Sequence, residues 1–450
     1  MSAVVGQAGG AVRAPLVAGP PGRILAVVDG RPVPLAAFLR QVRGVAGSLP
    51  PGRNAVNLCE DRYRFLVAFC AVAMRGQATL LPASRAAAAI DDALAMDPDA
   101  YCLGDAALAA PPPRYRRLPR ALPEREGPPP AVDDGALAAI GFTSGSSGRP
   151  SAHRKTWGGF RVSNAQNLAA LADLWPAGAS PAIVATVPPQ HMYGMEMSVL
   201  LPLLGGAAVH AARPLLPLDV AACLEQAAQP RLLVTTPVHL RALLGSGVGL
   251  PPLAGIVSAT APLPQESAAR AEDRYGCQVR ELFGATETCV LAQRRTARDR
   301  AWSAYPGVRL QPQPDGTRVR AAHLAGPVLL ADLVAPLDEG RFLLCGRNAD
   351  LLEIAGKRAS LGDLTRRLLA IEGVRDAVVF QLGEDGDPVR RIAALAVAPG
   401  LEAGAILAAL RTCCDPVFLP RRLRLVPALP RNETGKLPRQ ALLDLLDGPE

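Results

Sequence analysis

From residue 137 to residue 283 the chain alternates short apolar runs with amphipathic stretches, and few folds accept that order. Apolar runs at 182–187, 207–210, 232–235, 255–258 and 278–283 read as strands. Between them, 195–204, 220–228, 237–244 and 265–275 carry helical periodicity. The same texture fills 23–110, with strands at 23–28, 54–58 and 79–81 and helices at 34–46 and 63–74. A strand–helix–strand series of this kind folds into an α/β sheet with right-handed crossovers. The expected fold class is α/β, with mixed βα sheets in a large N-terminal domain.

After Gly346 the texture changes. A hairpin-like stretch precedes a helix at 361–370, strands at 374–381 and 392–397, and a helix at 403–413. This pattern predicts a compact α+β unit of about 100 residues, an ordinary domain size. A boundary near 347–350 divides the chain into domains 1–346 and 347–450. The Pro- and Arg-rich stretch 111–130 reads as a surface connection.

Composition removes several classes. With 49% hydrophobic and 20% charged residues the chain is not disordered as a whole. Aromatics at 4% argue against a stacking platform for nucleic acid. The formal net charge of +8 is spread without a basic tail, which suits a polyanionic small molecule or an acidic carrier protein. Nine cysteines without a C-x-x-C pair, and five histidines at no zinc spacing, point to buried thiols in a reducing cytoplasm. Residues 1–21 lack a signal-peptide pattern and no apolar run reaches a membrane-spanning length, so a cytoplasmic protein is expected. Lysine occurs at only three positions, 155, 357 and 436, against 45 arginines. An ammonium is a compact point charge that can approach a crowded phosphate or carboxylate, so each lysine is a candidate for chemistry.

Three segments carry that chemistry. TSGSSGRP at 143–150 leaves a strand, and such a loop can present several N–H groups and hydroxyls to a phosphate; the same composition also makes a flexible linker. It is neither a Walker A loop nor a nucleophile elbow. FGATET at 283–288 puts a hydroxyl and a carboxylate side by side at a strand's end, fit for Mg²⁺ and phosphate or for a solvated turn. PRNETGK at 430–436 places a lysine on a Thr-Gly turn.

In this order the three segments resemble the motifs of the adenylate-forming superfamily, which includes acyl- and aryl-CoA synthetases and peptide-synthetase adenylation domains. SATAPLP at 258–264, PPQHMYGME at 188–196 and ADLVAPLDEGRFLLCGR at 331–347 resemble further motifs of that superfamily, so the likeness runs over roughly 25–445. Residues 57–82, HRKTW at 153–157 and GKRASL at 356–361 are most similar to the aryl-acid:acyl-carrier-protein ligases of aryl-polyene and xanthomonadin-type pigment pathways.

The resemblance implies a large ATP- and acid-binding domain followed by a small mobile lid. It implies that ATP and Mg²⁺ are used to adenylate a hydroxybenzoate-like acid, and that the acyl group passes to an acyl carrier protein or to coenzyme A. Thr143, Ser144, Gly145, Ser146, Ser147 and Gly148 would wrap the phosphates. Glu287, with Thr143, would hold Mg²⁺, and Thr286 the α-phosphate. Asp332 would hold the ribose hydroxyls, with Arg347 beside them. Lys436 would bridge the substrate carboxylate and the α-phosphate, and His191 would stand at that carboxylate. Met192, Tyr193, Ala259 and Gly284 would line the acid pocket, with Ala349 and Asp350 at the hinge.

The chain also departs from the family pattern. Ser151 stands where the phosphate loop commonly carries lysine; Lys155, four residues on, is either its substitute or a surface residue. Glu353 stands where the lid often carries a lysine facing the thioester step, which weakens the case for coenzyme A as acceptor. Lys357 is a candidate lid contact, and Arg421, Arg422 and Arg424 would face an acidic carrier or simply solvent. Two other functions compete: a medium- or long-chain fatty acyl-CoA ligase, and a non-catalytic nucleotide-binding relative.

Overall fold

Nearly every apolar run of the N-terminal half is a strand in one of two sheets. The computed structural model describes residues 13–52, 54–143, 151–347, 351–354, 357–382, 391–431 and 437–448. By its internal contacts the chain divides into a large unit, Met1–Asp299 with Tyr305–Val308 and Ala321–Gly326, and a smaller one, Arg300–Ala304, Arg309–Arg320 and Pro327–Glu450. The fold class is α/β, as expected.

In the large unit, one six-stranded sheet runs in the order Ser151–Thr156, Leu137–Thr143, Ala78–Leu81, Asn54–Asn57, Tyr101–Gly104, Tyr115–Arg117. Four of its neighbouring pairs are parallel, and Ser151–Thr156 closes one edge antiparallel to Leu137–Thr143. A second sheet carries Gly255–Ser258, Arg231–Thr235, Ala182–Ala185, Ala208–His210 and Ile24–Val28 as successive parallel neighbours. Gln278–Ala285 joins it parallel to Gly255–Ser258, and Cys289–Arg294 returns antiparallel beyond it. Helix Arg62–Met74 is buried along almost its whole length, which is why its sequence lacks a polar face.

Some elements were not evident in the sequence. Helix Ala87–Met96 comes from an Ala-rich run, and strand Tyr115–Arg117 sits inside the stretch read as a connection. That stretch does more than cross the surface. The carbonyl of Arg40 accepts from the N–H of Arg125, and a Cβ on Gly44 would meet the carbonyl of Pro123 at 1.9 Å. Only glycine lets helix Leu35–Ser48 pack so closely against it. The helix expected at 195–204 begins at Met192 and passes through a π-helical turn, Glu196–Leu200.

The smaller unit contains the antiparallel pair Asp332–Pro336 and Arg341–Arg347, a three-stranded sheet of Arg309–Gln313, Gly316–Arg320 and Val328–Leu330, and the hairpin Leu351–Ile354 with Lys357–Ser360. Its C-terminal part is a sheet of Asp376–Leu382, Arg391–Val397 and Arg422–Leu425. Helices Leu361–Leu369 and Ala403–Cys413 pack on one face of that sheet. Helix Arg439–Asp447, absent from the sequence reading, packs on the other face against Phe380, Ala393 and Leu395.

Candidate functional site

The site in the large unit is assembled on the hairpin Leu137–Thr143 and Ser151–Thr156. The register sets Thr143 opposite Ser151, Gly141 opposite His153 and Ala139 opposite Lys155. Strand side chains alternate, so Thr143, Gly141, His153 and Lys155 share one face, while Ala152 and Arg154 are exposed. Ser144 to Gly148 lie outside the described residues, as does Pro150.

That face receives the FGATET turn. A Cβ built on Gly141 would stand 2.7 Å from Cγ2 of Thr286. The Thr143 hydroxyl and Nε2 of His153 share a hydrogen bond at 3.0 Å, and the same nitrogen lies 3.9 Å from Oε1 of Glu287. Burial lowers the affinity of His153 for a proton, and the Glu287 carboxylate opposes this in part. The Lys155 ammonium donates to the main-chain carbonyl of Glu287 at 2.7 Å. Lys155 is only 6% exposed, which corrects the surface reading of this residue. Thr143, Thr286 and Glu287 are thus brought together, and His153 joins them unforeseen. Its partner Glu287 is over a hundred residues away, so nothing local marks it.

The turn is held from below. The amide of Ala285 donates to the Thr288 hydroxyl at 3.2 Å, and Nε2 of His323 meets the Thr288 carbonyl at 2.7 Å. Since a carbonyl only accepts, that nitrogen carries the proton. A Cβ on Gly284 would lie 2.2 Å from the carbonyl of Cys289, at the bulge where strand Gln278–Ala285 turns back. Cys289 itself has φ of 61°, a left-handed conformation unusual for a residue with a side chain. Burial pushes its thiol up to about 12, so it is no nucleophile at neutral pH.

The loop that carries His191 leaves the end of strand Ala182–Ala185. Arg62, fully buried, donates to the carbonyls of Ala185 and Val187 at 2.9 and 2.8 Å and fixes that exit. His191 is half-buried and immediately precedes helix Met192–Met195. Met192 packs in the core, with its sulfur 3.8 Å from that of Cys289. The Tyr193 hydroxyl lies 2.8 Å from the Val257 carbonyl and 3.1 Å from that of Thr235. Its one proton is committed to main chain there. Gln190, also buried, has both amide atoms unpaired among the described residues.

Glu196, 1% exposed, ties this helix to the FGATET strand pair. Its carboxylate accepts from Ser163 at 2.5 Å, Asn167 at 3.0 Å and the amide of Val290 at 2.9 Å. Burial raises its pKa, and the nearby Lys155 charge acts against that rise. Ala259 is buried at the end of strand Gly255–Ser258. The turn after it is fastened by Glu281, which accepts from the amide of Leu263 at 3.0 Å and pairs with Arg294 at 2.6 Å. Thr260, within that turn, has φ of 82°. Gly284 is exposed.

In the smaller unit Asp332 opens its strand opposite Arg347, and the Asp332 carbonyl accepts from the Thr317 hydroxyl at 2.6 Å. Ala349, Asp350 and Lys436 lie outside the described residues. Arg431, just before the Lys436 segment, makes a two-pronged bond to Asp376 at 2.8 and 3.0 Å. Arg422 and Arg424 are bonded to the end of the C-terminal helix: Arg422 to Asp447 and the Leu446 carbonyl, Arg424 to the carbonyls of Leu445 and Gly448. Cations there satisfy the unpaired carbonyls of a helix C-terminus. Arg421 and Arg422 are exposed, and Arg424 is half-buried.

A carboxylate with neighbouring hydroxyls, partly open to solvent, is the donor set of a hard cation whose remaining ligands come from phosphate. Glu287 and Thr143, both next to His153, could contribute to such a set. No described helix is long and apolar enough to cross a membrane.

Comparison with known proteins shows the family and the fold. The family model described as AMP-binding enzyme matches residues 78–320. The 4-coumarate–CoA ligase of Halorhodospira halophila is 32% identical over 314 residues, covering 66% of this chain and 73% of that protein. ATP-bound MatB from Rhodopseudomonas palustris has the same fold, with a TM-score of 0.80 at 17% identity over 94% of this chain and 96% of that one. The O-succinylbenzoate CoA synthetase of Bacillus subtilis, solved with ATP and magnesium ion, gives a TM-score of 0.79 at 17% identity over 94% and 97%. The matched segment spans more than half of the residues and includes both the TSGSSGRP and FGATET segments, and the chain belongs to the AMP-binding enzyme family.

Proposed function

We propose that this chain is an acid–thiol ligase that adenylates a hydroxybenzoate-like aryl acid with ATP and passes the acyl group to the thiol of an acyl carrier protein. The observation that carries the proposal is the convergence of Thr143, His153 and the Thr286–Glu287 turn on one face of the hairpin that flanks TSGSSGRP. In the first half-reaction a carboxylate oxygen attacks the α-phosphorus and the bond to the β-phosphate breaks, releasing pyrophosphate. In the second a thiol sulfur attacks the acyl carbon, AMP leaves and the thiol proton goes to solvent. In-line displacement at phosphorus depends on alignment and charge neutralisation more than on acid–base chemistry.

Glu287 and Thr143 would hold Mg²⁺, which supplies charge neutralisation at the phosphates. Ser144 to Gly148 would wrap those phosphates, and Thr286 would donate to the α-phosphate. Asp332 would accept from the ribose hydroxyls, since a carboxylate takes two donors well, with Arg347 beside it. His191 would orient the acid among Met192, Tyr193, Ala259 and Gly284. Lys436 would bridge acid and α-phosphate, then leave with the 347–450 lid as it turns about Ala349 and Asp350.

The 4-coumarate–CoA ligase relative favours a second reading, with coenzyme A as acceptor and a cinnamate as acid. Carboxylate-dependent exchange of labelled pyrophosphate into ATP tests the first half-reaction across benzoate, hydroxybenzoates, cinnamates and C6–C16 fatty acids. A maximum on a hydroxybenzoate is expected. Thioester formation from that acid, with carrier protein and coenzyme A offered separately, then decides the acceptor. A maximum on fatty acids refutes the aryl assignment, and no exchange with any acid refutes the enzymatic one.

A further inference from the structure

The inner face of strand Ser151–Thr156 has a cation where a buried strand would ordinarily place an aliphatic side chain. Lys155 is buried, and its ammonium donates to the carbonyl of Glu287, 132 residues further along. A buried charge is costly unless it is both paired and hydrogen-bonded. Two groups compensate this one. The Glu287 carbonyl accepts its hydrogen bond, and the Glu196 carboxylate lies close enough for the two charges to interact. Glu196 is in turn bonded to Ser163, Asn167 and the amide of Val290, on the strand that follows the FGATET turn. A side chain that only filled space would need none of this.

Arginine is fifteen times as frequent as lysine in this chain, yet this position holds one of the three lysines. A guanidinium is a broad planar fork, whereas an ammonium directs donors from one compact point. The compact group fits between a strand and the main chain of a turn.

We propose that Lys155 is a positioning residue: its bond to the Glu287 carbonyl fixes the Thr286–Glu287 turn against the hairpin, so the metal-binding carboxylate is in place before nucleotide arrives. This rests on the proposed role of Glu287 toward Mg²⁺. The bond acts on the main chain at Glu287, while Nε2 of His153 lies 3.9 Å from the carboxylate of the same residue. With the main chain of Glu287 held, its carboxylate starts from a fixed point and has less to reorganise on binding, which is what preorganisation requires.

The test uses the full chain carrying Lys155→Met, and the double variant Lys155→Met/Glu196→Gln. The double variant removes both buried charges together, whereas the single change takes the Lys155 charge away from Glu196. Calorimetry reads ATP binding as Mg²⁺ is titrated, and again without metal; a thermal melt reads stability. The expected result is a tenfold or greater rise in the Mg²⁺ concentration at half-saturation, with metal-free ATP binding within twofold of wild type. A Mg²⁺ titration within twofold of wild type in the double variant overturns the proposal. So does a loss of metal-free ATP binding as large as the loss of Mg²⁺ dependence, which marks a merely structural role. If the wild type binds Mg²⁺ and ATP but exchanges pyrophosphate with no acid, the ligase reading fails while the result for Lys155 stands.

Discussion

Gly141 and Thr286 lie against each other so closely that a Cβ on Gly141 would come within 2.7 Å of the Thr286 methyl. Real Cβ contacts are not that short, so a side chain at 141 must push the threonine away. Thr286 sits on a turn fixed by Thr288 and Lys155 and cannot follow freely. We expect Gly141→Ala to lower kcat for pyrophosphate exchange at least tenfold, or about 1.4 kcal/mol of transition-state stabilisation. Misplacement by such a distance is enough for that loss. Steady-state exchange at saturating acid and ATP measures it; wild-type kcat in this variant would remove Thr286 from the reacting centre.

The bond between Arg431 and Asp376 anchors the chain immediately before the Lys436 segment. A two-pronged guanidinium–carboxylate pair adds direction as well as energy. Lys436→Ala should reduce adenylation by orders of magnitude and spare thioester formation from supplied acyl-adenylate. Arg431→Gln should lower adenylation in the same direction but less, about tenfold, because it acts through the placement of Lys436. Equal loss of both half-reactions in Lys436→Ala would contradict the assignment of that lysine to the first step.

Much of the fold follows from local pattern. Strand Gly255–Ser258 and helices Gln265–Tyr275 and Ala403–Cys413 have the bounds their periodicity indicates. Helix Ala87–Met96 escapes because runs of alanine carry propensity but little contrast between faces. The site divides the same way. Thr286 and Glu287 are legible as a motif and Lys155 stands out as one of three lysines, but nothing in the sequence pairs Lys155 or His153 with Glu287. Their roles come from Glu287, which only the folded chain brings to them. The bonds of Arg422 and Arg424 escape for a related reason: their partner is the terminal helix, which the sequence reading did not foresee.

His153, His239 and His323 all hold protons less firmly than an ordinary imidazole, chiefly because they are buried. The unfolded chain therefore takes up protons that the folded chain refuses. The contribution of each histidine is complete above its unfolded value near 6.5 and is lost as pH falls through its folded value. The slope per group is at most about 1.4 kcal/mol per pH unit. His239 gives the clean test, since its ring meets Thr186 at 2.8 Å and lies away from Glu287 in sequence and partner. The stability advantage of wild type over His239→Gln should be constant above pH 7 and narrow as pH falls below 6.5. Urea midpoints across that range measure it, and an advantage that widens with acid would reverse the sign.

Gln190 carries the most informative unsatisfied group beside His191. It is 4% exposed, adjoins His191, and has both its amide oxygen and nitrogen unpaired among the described residues. Each such buried atom costs about 1–3 kcal/mol. Native proteins seldom retain that cost without a partner, and an acid bearing a ring hydroxyl both accepts and donates. A site built to bond a substrate hydroxyl rejects the analogue lacking it far more strongly than an apolar pocket can. Gln190→Leu should therefore raise the melting temperature while lowering the ratio of kcat/KM for hydroxybenzoate over benzoate at least tenfold. The two readouts answer different questions. A higher melting temperature with an unchanged ratio means the amide is unsatisfied in the complex as well, and the hydroxyl is read elsewhere. A lower melting temperature means an ordered water already completes the amide, and the acid does not.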